Sequence, residues 1–164
     1  EYKEILMKKS IIWGAGGLVI GLLVMMVVMA LAAPGIMMVE RESSYDFETS
    51  VAMLEESIAA NGWKLPTVHD LQGTMARYGY DVLGVKVFEI CHPDHAEKIL
   101  SQDDERIVSS MMPCRISIYE KSDGKTYVST MNTGLIGKLF GGLIAEVMGV
   151  ASAESEQIAS VLFE

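Results

Sequence analysis

Several features that would assign a function at sight are missing. The 164 residues contain only two cysteines, Cys91 and Cys114. A disulfide-dense scaffold is therefore excluded, and without Cys-x-x-Cys-His so is a covalent c-type haem attachment. There is no G-x-x-x-x-G-K-[ST] loop and no G-x-G-x-x-G turn, so the usual phosphate cradles are absent. No nucleophilic serine motif occurs. Positive charge is scarce: 13 Lys and Arg stand against 22 Asp and Glu, for a net charge of −9. Such a surface repels phosphate backbones, and no basic aromatic stripe offsets it, so nucleic acid is not a partner. Internal repeats and low-complexity linkers are lacking too.

The longest absence is of charge itself. Nothing ionisable lies between Ser10 and Val39. Ile11 to Ala33 is about 23 residues, and at about 1.5 Å per residue it spans a hydrocarbon core of about 30 Å. Pro34-Gly35 is expected to end that helix. Lys3, Lys8 and Lys9 precede it, and the positive-inside bias puts the N-terminus in the cytoplasm and the rest outside, periplasmic or extracellular. The rival reading is a cleaved signal segment, with Met7-Lys8-Lys9 as start and n-region and Ala30-Leu31-Ala32 as cleavage site; its apolar run is longer than usual. Gly17-x-x-x-Gly21 would let two such helices approach. The chain thus divides into residues 1–35, tail and transmembrane helix, and residues 36–164, a soluble domain large enough for one core.

Within the domain, Ile36–Arg41 can begin a strand. Asp46–Asn61 reads as a helix, with Phe47, Val51, Leu54 and Ile58 at helical spacing and Ser44 or Asp46 as cap. Trp63–Leu71 is an edge strand, since Pro66 cannot donate to a ladder. Leu71–Tyr78 is a short helix. Val82–Ile90 is apolar on both faces and therefore central. Pro93 opens a helix, and a short turn follows from Asp103 to Met111. Cys114–Glu120 and Thr126–Met131 form a hairpin around Asp123-Gly124. Thr133–Met148 is amphipathic but carries Gly134, Gly137, Gly141 and Gly142, which close packing or a kink near Gly141-Gly142 would explain. Ser152 can cap a last helix through Phe163. This order gives an α+β fold with a mostly antiparallel sheet covered on one face.

Chemistry, if present, concentrates at Val85–Tyr119. Cys91 ends one apolar run and Cys114 begins another, and His92 and His95 follow Cys91 at once. The two thiols have three readings: small buried residues, a structural disulfide, or a working pair that binds a soft metal, haem or a sulfur species. For the last, Cys91 sits just ahead of a helix whose free N–H groups favour thiolate. Cys91, Cys114, His92 and His95 match a metal centre in ligand type, though Cys-His-x-x-His is too tight for a zinc finger. Thiolate and thioether favour copper(I), and the chain has twelve Met. Haem held by His or Cys is the other cofactor considered. His69-Asp70 is either a surface pair or an oriented imidazole. Glu55-Glu56 is a solvated helix face. No acid–base–nucleophile set appears, so thiol redox is the only enzymatic form left open.

The segments F-E-T-S-V, N-G-W-K-L, H-D-L-Q, V-K-V-F-E-I-C-H-P, M-P-C-R-I-S-I-Y-E-K-S-D-G-K and M-N-T-G-L resemble the domain of unknown function 302 family across nearly all of Ile36–Phe163. The resemblance implies a β-α-β-β-β-β-α fold similar to the TATA-binding-protein class, and a homodimer. It implies no reaction. The family's motif cysteines correspond to Cys91 and Cys114, its Pro-linked arginine to Arg115, and its turn to Asp123-Gly124. Arg115 is accordingly counted with the two cysteines as a candidate cofactor-binding residue, although alternation turns it away from Cys114. The histidines lie outside the motif. The combined expectation is a membrane-anchored, extracytoplasmic binding module using the cysteine pair. The alternative is a non-catalytic homodimeric structural or assembly protein whose cysteines pack or form a disulfide.

Overall fold

The computed structural model describes residues 2–164, with side chains described from residue 16 onward. The side chains of Lys3, Lys8 and Lys9, on which the expected orientation rests, lie outside the described residues. The chain divides into two compact units, one ending at Ile36 and the other comprising Met37–Glu164.

The first unit is helix α1, Tyr2–Met37. Among the described residues, Gly16–Met37 is long and apolar enough to cross a membrane, and none of it is buried. The helix does not stop at Pro34-Gly35 as expected. It runs through Pro34 to Met37; proline is better tolerated in apolar helices where local adjustment re-satisfies the freed carbonyl.

The second unit is an α+β domain. Its strands are β1 (Met38–Glu42), β2 (Lys64–Asp70), β3 (Val85–Cys91), β4 (Cys114–Glu120) and β5 (Thr126–Met131). They form one antiparallel sheet in the order β1-β5-β4-β3-β2. The edge position of β2 and the central position of β3 agree with the sequence pattern. The helices are α2 (Phe47–Ala60), α3 (Leu71–Arg77), α4 (Pro93–Leu100), α5 (Thr133–Phe140) and α6 (Gly142–Ser160), with a 3-10 helix at Glu105–Met111.

Period-two alternation sorts the sheet into two faces. Phe88 and Ile90 of β3, Ile116 and Ile118 of β4 and Val128 of β5 are buried on one of them. Helix α2 covers that face with Leu54 and Ile58, and α6 with Ala151 and Ile158, in one continuous core. Asp46 caps α2 by accepting from Thr49 N at 2.9 Å and from Thr49 Oγ1 at 3.0 Å, satisfying donors the first turn leaves free. The opposite face carries Glu89, Arg115, Tyr119 and Tyr127 and is not part of the core.

The C-terminal helices depart from the expected boundaries. The glycine-bearing helix ends at Phe140, and α6 runs without interruption through Ser152 to Ser160. The break falls at Gly141, φ +73°, followed by Gly142, φ +51°. Two successive left-handed residues reverse the chain, which glycine allows without a Cβ clash. Gly134 and Gly137 then face α6 so closely that a Cβ on Gly137 would stand 2.8 Å from Met148 Cβ. Ser152 therefore caps nothing; it is an interior residue of α6.

Candidate functional site

Strand β3 ends at Cys91, His92 follows in extended backbone, and Pro93 starts α4. Proline at the first helical turn loses no hydrogen bond, so the chain turns sharply there. In the neighbouring strand Cys114 opens β4 directly opposite Ile90. The two cysteines are thus brought to one end of the sheet, as their sequence positions implied. Both line a single cavity enclosing about 510 Å3 of empty space, part of it open to solvent. The space within it that a water-sized molecule can occupy is about 50 Å3, room for a species of a few atoms. Its wall is otherwise apolar and soft, with Met111, Met112, Met148 and Trp63 among the lining residues.

Both thiols are free. Burial pushes Cys91 above its ordinary value. Burial pushes Cys114 up as well, charge on Cys91 adds to this, and the Ser155 hydroxyl opposes it. The expected thiolate at Cys91, stabilised by the start of α4, is therefore not what the structure supports. Desolvation in an apolar wall outweighs the helix end and keeps the proton on sulfur.

His92 and His95 also line the cavity. Their rings lie 4.5 Å apart between centroids, and Trp63 meets them edge-on at 5.8 Å and 6.0 Å. His95 Nε2 lies 3.0 Å from Glu154 Oε2, and Trp63 Nε1 donates to the same oxygen at 3.0 Å. At Glu154 burial pushes the carboxyl up, but the hydrogen bonds from His95 and Trp63 prevail and hold it below its usual range. His92 Nδ1 is buried without a hydrogen-bond partner, which is uncommon for a buried polar atom, and it lies next to Cys91 in the chain.

Not every candidate belongs to this place. Arg115 lies on the opposite face of the sheet, where it donates to Glu89 Oε1 from Nε at 3.2 Å and Nη2 at 2.9 Å. Its partner is Glu89, which His69 also contacts, and not a thiol. His69-Asp70 is not an oriented pair: His69 reaches Glu89 at 3.2 Å, while Asp70 caps α3 by accepting from Gly73 N at 2.7 Å. Among the described residues no group of three or more His, Cys, Asp or Glu is arranged to hold a metal ion. Cys91, Cys114, His92 and His95 share a cavity, then, without forming a ligand shell; the Nε2 of His95 is engaged by Glu154. Trp63, Glu154, Ser155 and Met148 were missed from sequence because nothing at local spacing joins them to Cys91 or Cys114.

A five-stranded antiparallel sheet with one helix-covered face, ending in a cavity lined by two thiols and two imidazoles, defines the class: an α+β domain that follows an apolar helix in the chain. Residues 39–162 match the family model described as Domain of unknown function DUF302, and the chain belongs to that family. Among solved structures it is similar to one described as the uncharacterized conserved protein DUF302 from Bacillus stearothermophilus, with a TM-score of 0.69 at 17% identity, covering 77% of this chain and 98% of that one. At that identity the likeness concerns the fold. No curated protein matches the chain.

Proposed function

We propose that the chain is a membrane-anchored binding module, with its domain on the non-cytoplasmic side, whose cavity takes a small soft ligand between Cys91 and Cys114. One observation carries the reading: both cysteines line the same largely apolar cavity, and three methionines line it with them. Polarisable sulfur and aromatic edges favour soft, uncharged species over hard ions. Of the ligand classes left open by the sequence, a reduced sulfur compound fits better than a metal cation or haem, because among the described residues the thiols and imidazoles are not gathered into a ligand shell. The anchor is supported by the length and apolarity of Gly16–Met37.

The test is alkylation of the cysteines in the full chain purified in detergent, read by mass spectrometry. Hydrogen sulfide, copper(I) and haem are the probes in separate arms. Protection of Cys114 by non-covalent hydrogen sulfide, corrected for reagent consumed by sulfide with a free-thiol peptide in the same tube and lost in Cys91→Ala, supports the reading. Protection by copper(I) or haem alone would move it to those ligands. If none protects and none co-purifies, the binding reading fails.

A second reading, a homodimeric structural protein, is favoured by β1. That strand stands at the sheet edge, paired only with β5, and is exposed along its whole length, and such edges pair readily with another copy. Light scattering of the full chain decides it; a monomer at all concentrations sinks it.

A further inference from the structure

We infer that the end of the domain formed by α5 and the Met38–Met131 strand pair rests in the lipid interface of the membrane that α1 crosses. The inference depends on the anchor reading above and adds a second, independent contact with the bilayer.

Exposed apolar side chains occur at several places in the domain, Tyr78, Leu83 and Ile107 among them, and one group lies on α5 and the Met38–Met131 strand pair. Leu139 is 83% exposed and Phe140 49%, at the free end of α5. Met37, Met38, Val39 and Met131 are also exposed, and Met38 pairs with Met131 across β1 and β5. The other end of the same strand pair has the opposite character. There Lys125 bonds Glu42 at 2.9 Å, Lys121 bonds Glu40 at 2.7 Å, and Tyr127 donates to Asp123 at 2.8 Å. One end of the sheet is thus apolar and the other ionic.

Chain continuity identifies what the apolar end meets. Met37 closes the candidate span, and its carbonyl accepts from Asn132 N at 2.8 Å. Asn132 is the residue that caps α5, accepting from Leu135 N at 3.0 Å. Whatever the direction of α1, Leu139 lies only about 10 Å along α5 from the last residue of the span, at about 1.5 Å per residue. The headgroup layer on each side of a bilayer is about 5–8 Å thick by difference between its full and hydrocarbon widths, a thickness comparable to that reach, so the interface is within range of α5.

Helix α5 is also turned the right way. Its glycines, Gly134 and Gly137, approach α6. Leu139 is two positions beyond Gly137, about 200° around the helix, and so points away from α6. Between Gly137 and Leu139 is exposed Lys138, whose ammonium can snorkel to phosphates while the apolar side chains enter the interface. A surface of this kind, tethered beside a span, is a lipid contact more readily than a protein groove.

The experiment uses the full chain with its native cysteines, reconstituted in vesicles of phosphatidylcholine and phosphatidylglycerol. p-Benzoylphenylalanine is placed singly at position 24 in the span, 139 on α5, or 122 in the charged hairpin, irradiated, and analysed by mass spectrometry for lipid adducts. Adducts at 24 and 139 but none at 122 are expected. Adducts at 24 without any at 139 overturn the inference and leave the anchor standing. Absence at 24 removes the anchor reading and the inference with it. A protein–protein adduct at 139 in place of the lipid adduct assigns the surface to a second copy and also overturns it.

Discussion

Tyr119 shows how a single residue takes its chemistry from the sheet. Its neighbours by register are Val85 on β3 and Tyr127 on β5, and its hydroxyl donates to Glu40 on β1. Burial, then the Glu40 carboxylate, push the phenol up to about 12. Since the folded value lies above the unfolded value of about 10, the stability this supplies is whole below pH 10 and is lost as pH rises towards 12. Titration of phenolate absorbance at alkaline pH should show late-titrating tyrosine, with Tyr127 also held up by its bond to Asp123, and the latest part should disappear in Tyr119→Phe; an unchanged curve in that variant would refute the assignment. Cys91 and Cys114 teach the converse. Their positions were legible because they are the only cysteines, each at a strand end. Their protonation was not, because desolvation depends on what the other elements lay over them.

At the scale of elements, α2 and the β4–β5 hairpin follow from local rules. Asp46 precedes a helical apolar stripe, and Asp123-Gly124 sits between two alternating runs. Asp46→Ala should lower stability by about 1 kcal/mol, the usual cost of losing an N-cap; denaturant unfolding of the domain reads it, and no change would mean the cap is redundant. The α5–α6 pair is different. Its apolar spacing continues smoothly through Gly141, so periodicity alone predicts one helix to Met148. What ends α5 is the left-handed backbone at Gly141 and Gly142 together with the fit of Gly137 against Met148. Gly137→Ala gains up to about 1 kcal/mol of helix propensity but meets a contact too short to keep, at an overpacking cost of about 1–3 kcal/mol. A net loss of about 1 kcal/mol is expected in the same assay, and a stabilised variant would show that the two helices separate easily.

Over the whole molecule, the end of the sheet with the cavity is held by contacts distant in sequence. Glu154 of α6 receives Trp63, which precedes β2, and His95 of α4. With its folded pKa depressed, Glu154 contributes stability above its unfolded value of about 4.3, and that contribution is lost as pH falls through the folded value. Thermal melts of the full chain and of Glu154→Gln should therefore differ most above pH 5 and converge on acidification towards pH 3. A gap independent of pH would mean that the carboxylate charge is not what joins these segments.

The sequence by itself determined the class of the fold, the order of the strands along the chain, the apolar first helix and the place of both cysteines at strand ends. These follow from periodicity, turn residues and runs without charge, all of which are local. Only the tertiary structure decided that both thiols open into one cavity with Trp63 and Met148, that Arg115 lies on the far face with Glu89, and that the last helices turn at Gly141. Each of those depends on which distant side chains exclude water from a given atom, and no local pattern in the chain carries that information.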